Sequence, residues 1–328
     1  MYPLRNAVLA TLAFYEQLQV PLTLQETHAY LINPSRVDLV PHGVGDVTLA
    51  EVAHTLDMLV QSGRVFCTDG FYALSQSNPR EMRVEQEKVN AQKWRKLLRV
   101  TRWLQAAPYV RAVFSSGSLA LGNPDADSDF DVFVITADKR LYTCRAFLLL
   151  VASLLRARRK RTDTVAPDKL CFNHYVTERE LTISYESVVT AHIFGSLVPL
   201  YGRNDVIAAF FAANGWINKF LYNFRPVKDT VRHSIAPTRF LQSVARFGEW
   251  LLNNKAGDLT EKLLKRWQQR RIRKNPLTHA SGGRIVFTDA QLEFHPRSFE
   301  VAVIAGYNER LQKLGIVPIL SEQDSGLQ

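Results

Sequence analysis

Two aspartates separated by one residue, Asp129 and Asp131, stand at the start of the apolar run VFVIT, which is typical of a buried strand. Because side chains alternate along a strand, both carboxylates project from one face, with their Cα atoms about 6 to 7 Å apart. Carboxylates so placed can share Mg²⁺, an ion that prefers oxygen ligands. In phosphoryl transfer such ions neutralise the charge of a triphosphate and orient the attacking hydroxyl. The spacing therefore predicts a magnesium site that holds one or two ions.

A glycine and a serine, Gly117 and Ser118, precede this pair, with ten residues between Ser118 and Asp129. Glycine permits a backbone shape that brings amide donors close to a phosphate, and a serine that opens a helix adds a hydroxyl at the positive end of the helix dipole. A bare Asp-x-Asp is most often a solvated strand end. The Gly-Ser element at this distance favours a nucleotide site instead.

The elements that must position these residues can be read from the same segment. A strand over 110–114 leads into a turn at Gly117, a short helix from Ser118, and a return strand over 130–136. Of the basic residues that follow the strand, Arg140 and Arg145 are expected to lie nearest the predicted triphosphate and could contact it.

This composite resembles the DNA polymerase beta type nucleotidyltransferase superfamily, whose pattern is Gly-Ser, a gap, and then Asp-x-Asp on a strand. It is specifically similar to bacterial nucleotidyltransferase-domain proteins with an N-terminal winged helix. The stretches that carry the resemblance are SGSLALGNPDADSDFDVFVIT, KRLYTCR, KLCFNHYV, VVTAHIFGSLVPLYGRND and FHPRSFE. The resemblance implies a small mixed sheet flanked by helices, with Gly117 and Ser118 on the phosphates and Asp129 and Asp131 on the metal.

The superfamily commonly places a third carboxylate on the next strand, which here is KLCFNHYVT, without Asp or Glu. Asn173 stands near the expected position, where it could be only a neutral ligand. Asp168, just before the strand, is a possible substitute, or else an exposed turn residue. His174 could act as a base, although a lone histidine on a strand is more often a packing residue.

The N-terminal part predicts three helices and a hairpin. Thr23 and Thr48 each precede a helix and have a glutamate three residues later, the sequence pattern of a capping box. The third helix ends at Gly63, and Asp69-Gly70 predicts a tight hairpin turn. This is a winged-helix-like arrangement. Residues 1–78 carry a net charge of −4, however, so DNA binding is disfavoured, and contact with protein or packing within the chain is preferred.

The predicted organisation has four parts. Residues 1–78 form the winged-helix-like domain, 79–107 a helical connector, 108–190 the α+β nucleotidyltransferase core, and 191–328 a mainly helical C-terminal region. Trp216, Phe220, Tyr222 and Phe224 are expected to pack as core helices, and the apolar run 146–155 as a core helix. His295-Pro296 is expected to end a short strand without metal-ligand geometry.

Composition and charge narrow the partners. The 328 residues carry +10 overall, with +14 beyond residue 78, which favours a polyanionic partner for the central and C-terminal parts. The basic runs RARRKR and 255–274 are either solvated faces or contacts for RNA or an acidic protein. Three widely spaced cysteines suggest reduced thiols, a cytoplasmic location and no zinc site. No membrane partner is expected.

The sequence thus predicts a Mg²⁺-dependent nucleotidyltransferase that moves a nucleoside monophosphate from an NTP to a hydroxyl on a protein, small molecule or RNA. One alternative is a nucleotide- or RNA-binding protein that lacks catalysis because Asn173 replaces the third carboxylate. The other is a winged-helix DNA-binding regulator.

Overall fold

The N-terminal elements follow their capping signals. A computed structural model describes residues 4–37, 46–75, 78–160, 163–226, 233–279, 283–295 and 300–318. The first elements are α1 (Arg5–Gln17), α2 (Leu24–Ala29), a 3₁₀ turn (Pro34–Arg36), α3 (Leu49–Gln61), β1 (Phe66–Thr68) and β2 (Phe71–Ala73). Both capping boxes form, and the Thr48 hydroxyl accepts from the Glu51 amide at 3.3 Å. At the hairpin turn Asp69 and Gly70 have φ of 50° and 83°, which confirms the predicted turn.

The segment predicted as a connector is helical, with a long helix, α4 (Pro79–Thr101), followed by a 3₁₀ segment, Arg102–Ala106. The central region then alternates strands and helices. Its elements are β3 (Val110–Ser115), α5 (Gly117–Leu121), β4 (Phe130–Thr136), α6 (Leu141–Leu154), β5 (Leu170–Thr177), α7 (Val188–Gly195), β6 (Val198–Gly202) and α8 (Asn204–Ala213). A 3₁₀ segment, Gly215–Lys219, follows.

The C-terminal elements return to the same sheet. They are α9 (Arg239–Leu252), α10 (Lys255–Arg273), a 3₁₀ turn (Pro276–His279), β7 (Arg284–Phe287), β8 (Gln291–His295) and α11 (Glu300–Lys313). Three of the six strands of the central sheet, β6, β7 and β8, therefore come from beyond residue 190. The sheet is wider than the predicted core segment, because its edges are completed by distant parts of the chain.

The central sheet is mixed, in the order β6-β3-β4-β5-β8-β7. Only β4 and β5 run parallel among the described strand pairs, since α6 carries the chain back to the same end of the sheet before β5 begins. All other neighbours are antiparallel. The protein is therefore an α+β protein with a mixed sheet, as the sequence predicts.

Alternating residues of the strands enter two hydrophobic clusters, one on each face of the sheet. Phe114 and Phe133 face the cluster shared with α1, α7, α8 and α11, whereas Val113 and Val132 face the cluster shared with α4 and α6. The N-terminal helices thus share one hydrophobic interior with the sheet, and α1 packs on α11. This hydrophobic cluster contains residues from both sides of residue 78, the predicted end of the winged-helix-like domain.

Two of the packing predictions need correction in detail. Trp216, Phe220 and Phe224 are buried as predicted and Tyr222 packs partly buried, but they lie in a 3₁₀ segment and the turns after it rather than in α-helices. In α6, Leu148 is buried while Leu150 and Leu154 are exposed, because this helix packs through one face only. None of the described helices is both long and apolar enough to cross a membrane.

Candidate metal and nucleotide site

Asp131 lies at the start of β4, where an irregularity in strand pairing brings a polar partner to it. Asp131 pairs with Cys171 of β5, but Phe133 pairs with His174, so β5 has one extra residue between these pairs. This bulge places Asn173 against the carboxylate, and its amide nitrogen donates to Asp131 Oδ1 at 2.6 Å. Asn173 thus occupies the position beside Asp131 that the sequence predicts.

Gly117 lies directly under the same carboxylate. Its φ is 65°, and a Cβ atom added there would be 2.2 Å from Asp131 Oδ2. The neighbouring Ser116 amide donates to the Asp131 carbonyl at 3.0 Å, which fixes the turn to β4. Only glycine fits here, because any side chain would combine left-handed backbone strain with a collision. The predicted convergence of the glycine turn and the Asp-x-Asp pair is present.

Ser118 is the second residue of α5 and is half-buried. Its carbonyl accepts from the Asn123 amide at 2.9 Å, which closes the helix on the loop that leads to the aspartates. No side chain caps the beginning of α5. The first amides of this helix are therefore oriented by the Gly117 turn and not by a capping hydroxyl.

Asp129 is paired with a cation that the sequence reasoning missed. Arg159 donates to Asp129 Oδ2 at 2.5 Å, and the two side chains are 34% and 17% exposed. Arg159 is held in place because its amide donates to the Leu170 carbonyl at 3.0 Å, next to β5. It belongs to the basic run RARRKR, whose composition alone did not indicate which arginine would face the site.

The electrostatics of the pair favour binding of a cation. Burial and the neighbouring Asp129 raise the pKa of Asp131 to about 7, although Arg159 and Cys171 act in the opposite direction. Burial, followed by the charges of Asp131 and Asp129, also raises the pKa of the Cys171 thiol, so this sulfur stays protonated at neutral pH. A metal ion at this place would compete with a proton for Asp131.

The donor set fits a hard cation. Asp129, Asp131 and Cys171 offer ligand atoms that all lie within 4.8 Å of one another. Two carboxylates beside a protonated thiol and an amide suit Mg²⁺ better than a metal that needs thiolate. Within β5, which is described along its whole length, no carboxylate stands at the third position.

The loop before Asp129 is tied to α4 by a buried lysine. The ammonium of Lys93 is 4% exposed and donates to the carbonyls of Ala126 and Ser128, at 3.0 and 2.6 Å. It also reaches Asp168 at 3.2 Å, and Lys96 pairs with the same carboxylate. Asp168 therefore faces α4 and its two lysines and does not turn toward Asp131.

Arg140 and Arg145 lie away from the pair. They come after the C-terminal end of β4, whereas Asp131 lies near its beginning, and both have partners on α10. Arg140 donates to Asp258 at 2.7 Å, and Arg145 donates to Gln268 at 2.6 Å. The structure thus assigns these two arginines to the packing of α10, while Arg159 takes the place beside the aspartates.

A second polar cluster lies on the same face of the sheet. His174 is buried against Phe133 and Phe194, in line with a packing role. Glu293 lies opposite it on β8, and His295 is two residues further on. One ligand atom from each of these three residues lies within 4.8 Å of the others. The expectation that His295 has no metal-ligand geometry is therefore wrong; β8 does end at His295, and Pro296 lies outside the described residues.

The carboxylate of this cluster is held by an ordered set of donors. The Tyr185 hydroxyl donates to Glu293 Oε1 at 2.9 Å, and Arg284 donates to the same oxygen at 3.4 Å. Burial raises the pKa of Glu293 to about 7, with Arg284 acting in the opposite direction. Burial, followed by the charge of Arg284, lowers the pKa of His295 to about 4. Both this imidazole and that of His174, whose pKa burial also lowers, are neutral at pH 7.

The chain matches no family model, no curated protein and no solved structure. The functional interpretation therefore rests on the two clusters themselves.

Proposed function

We propose that the protein is a Mg²⁺-dependent nucleotidyltransferase that transfers a nucleoside monophosphate from an NTP to a hydroxyl acceptor. The observation that carries this proposal is the contact between Gly117 and the Asp131 carboxylate, with Asp129 beside it. A glycine turn that opens a helix supplies amides for phosphate oxygens, and paired carboxylates supply oxygens for the ion. Both elements converge on one place, as the chemistry requires.

Each residue has a distinct role in this proposal. Asp129 and Asp131 hold the ion, which would neutralise charge on the triphosphate and on the leaving pyrophosphate. Gly117 and Ser118 hold phosphate oxygens. Arg159, whose guanidinium pairs with Asp129, would turn to a phosphate once a metal ion binds Asp129. Lys93 keeps the loop that ends at Asp129 in position.

The finer fold assignment belongs to the same proposal. The mixed sheet with a parallel β4–β5 pair is compatible with a DNA polymerase beta type core, and the α1–α3 helices with the β1–β2 hairpin are compatible with a winged helix. The third helix of that unit carries Glu51 and Asp57, which argues against contact with DNA phosphates. Its α1 helix is instead packed on α11 and shares a hydrophobic cluster with one face of the central sheet.

Binding of a labelled NTP in the presence of Mg²⁺ tests the proposal. The double variant Asp129→Ala with Asp131→Ala is expected to lose Mg²⁺-dependent binding, because both metal ligands are gone. The matched control combines Asp57→Ala with Asp205→Ala, two exposed aspartates outside the site. Equal binding by the wild type and the site variant would refute the proposal.

A second candidate function is supported by Asn173. Its amide donates to Asp131 in the place where a third carboxylate would serve as general base, and an amide cannot accept the acceptor hydroxyl's proton. The protein would then bind a nucleotide or RNA without transfer. Pyrophosphate release from an NTP in the presence of protein, small-molecule or RNA acceptors separates the two, since a pure binding protein releases none.

A further inference from the structure

The second cluster contains more ligand atoms than its three titratable residues. The side-chain nitrogen of Gln291 donates to His174 Nε2 at 3.0 Å and to Glu293 Oε2 at 3.3 Å. An amide nitrogen only donates, so the facing His174 nitrogen carries a lone pair and no proton. His174 on β5 and Glu293 on β8 thus both accept from the same nitrogen, that of the Gln291 amide. The other oxygen of Glu293 lies 3.7 Å from His295 Nε2.

We propose that His174, Glu293, His295 and Gln291 form a structural zinc site that fastens the β7–β8 hairpin to β5. Two imidazole nitrogens with a carboxylate are a common zinc donor set. A 180° rotation of the Gln291 amide would put its oxygen where its nitrogen now lies, which completes four ligands. Structural zinc sites are four-coordinate and closed in this way, whereas catalytic sites keep one position open.

The present spacing is close to what the ion needs. Four ligands about 2.0 to 2.1 Å from zinc lie roughly 3.3 Å from one another in a tetrahedron. The ligand atoms of His174, Glu293 and His295 lie within 4.8 Å of one another, so side-chain adjustments alone can close the site. His295 is 34% exposed, which gives an ion access from solvent.

Neighbouring residues orient the carboxylate as an outer shell does in metal sites. Tyr185 and Arg284 both donate to Oε1 of Glu293, which leaves Oε2 to accept from the Gln291 amide. The two shorter bonds of Arg284, at 3.0 Å each, go to Glu300, so the charge of this arginine is directed mainly at another carboxylate. Such second partners fix a ligand and raise its affinity for metal.

The position of the cluster explains what an ion would do there. The β7–β8 hairpin joins the sheet through the short β5–β8 pairing from His174 to Val176. The four proposed ligands come from both sides of this junction, one from β5 and three from β8. An ion would bind only the folded chain and not the unfolded chain, and would therefore stabilise the folded state by mass action.

Metal titration of the full chain, first stripped with a chelator, tests the proposal. Zn²⁺ is expected to bind with one equivalent at this site and to raise the melting temperature, and Co²⁺ in its place should give the visible absorption of a four-coordinate ion. His295→Ala, which removes the most exposed ligand, should weaken Zn²⁺ binding by at least about tenfold. His279→Ala is the matched control, because His279 is exposed and outside the cluster.

Two further variants keep the outcome clear. Glu293→Gln preserves side-chain volume and should also weaken binding at least about tenfold. The Asp129→Ala and Asp131→Ala double variant should bind Zn²⁺ as the wild type does, so this proposal stands or fails apart from the nucleotidyltransferase. Absence of stoichiometric binding, equal affinity in His295→Ala, or loss of binding only in the aspartate variant would each overturn it.

Discussion

Two carboxylates on one face of the sheet, Asp131 and Glu293, have the same raised pKa of about 7 in different surroundings. Asp131 has a second carboxylate, a glycine turn and an amide around it. Glu293 has two imidazoles, a phenol and a guanidinium. Burial is the first cause of both shifts, so the pKa value alone does not distinguish the sites. Their neighbouring donors do.

These different neighbours give the two clusters of one sheet preferences for different metal ions. The cluster around Asp131 is rich in oxygen and lies where β4 begins, which favours Mg²⁺. The cluster around Glu293 has two neutral nitrogens and lies between packed strands, which favours zinc.

The largest effect is expected from removal of the Arg284 guanidinium, which lies beside Glu293. Arg284→Met should lower the free energy of unfolding by about 3 to 5 kcal/mol, because Glu293 and Glu300 would lose a buried partner. Arg203→Met removes an exposed pair with Asp205 and should cost about 0 to 1 kcal/mol. Urea unfolding measures both. Equal losses in the two variants would show that burial gives the Glu293 cluster no special role in stability.

Gly117→Ala is expected to have the next largest effect, and at the other site. The added methyl would meet Asp131 Oδ2 at 2.2 Å, and displacement of a ligand by about 1 Å can cost on the order of 100-fold in function. Mg²⁺-dependent NTP affinity should fall by that factor. Gly122→Ala has a similar positive φ of 83° with nothing within 4 Å, so it carries the backbone strain without the collision. Similar losses in both variants would assign the effect to strain.

Dependence on pH should separate the two carboxylates that share a pKa. The folded protein keeps the Asp131 proton up to pH about 7, whereas the unfolded chain releases it near 3.8. This residue therefore contributes stability at low pH that is lost as pH rises to 7, and over the same range Mg²⁺ affinity should rise by up to about tenfold per pH unit.

Two single variants check that assignment. Asp131→Asn should abolish the pH dependence of Mg²⁺ binding, measured by calorimetry between pH 5 and 8. Glu293→Gln should leave it intact and flatten only the loss of stability between pH 4.5 and about 7. If Glu293→Gln changed Mg²⁺ binding as strongly as Asp131→Asn, the two clusters would have to be one coupled site.

Local features of this chain could be predicted because short-range physics determines them. The capping boxes at Thr23 and Thr48, the Asp69-Gly70 turn and the strand over 130–136 depend on neighbours a few residues away. The Gly117 and Asp131 contact was also predictable, since Gly117 follows the end of β3, Asp131 lies at the beginning of β4, and these two strands pair antiparallel. These parts of the fold and of the candidate site follow from spacing.

Partners that are distant in sequence could not be predicted in the same way. Arg159 reaches Asp129 only because the chain passes beside β5, and Lys93 reaches Asp168 across 75 residues. Glu293 meets His174 because β8 adds to the far side of β5. The bulge in β5 that turns Asn173 toward Asp131 has no sequence signal. Strand order and register decide the contacts of Glu293 and Asn173, and the packing of α4 and of the chain beside β5 decides those of Lys93 and Arg159.

The smallest effect is expected from conversion of the Asn173 amide, beside the proposed magnesium ligands, into a carboxylate. Asn173→Asp would place a third negative charge beside Asp131, so the metal-free protein should lose on the order of 1 kcal/mol of unfolding free energy. Saturating Mg²⁺ should restore this free energy of unfolding, because the carboxylate that repels Asp131 in the metal-free protein becomes an additional ligand of the ion. Asn204→Asp, exposed at the beginning of α8, should not respond to Mg²⁺. Thermal unfolding with and without the ion measures the difference, and a loss that Mg²⁺ leaves unchanged would place Asn173 outside the ion's reach. Zn²⁺ affinity should be the same in Asn173→Asp as in the wild type, since the Asn173 side chain contacts Asp131 on β4, whereas Glu293, Gln291 and His295 lie on β8.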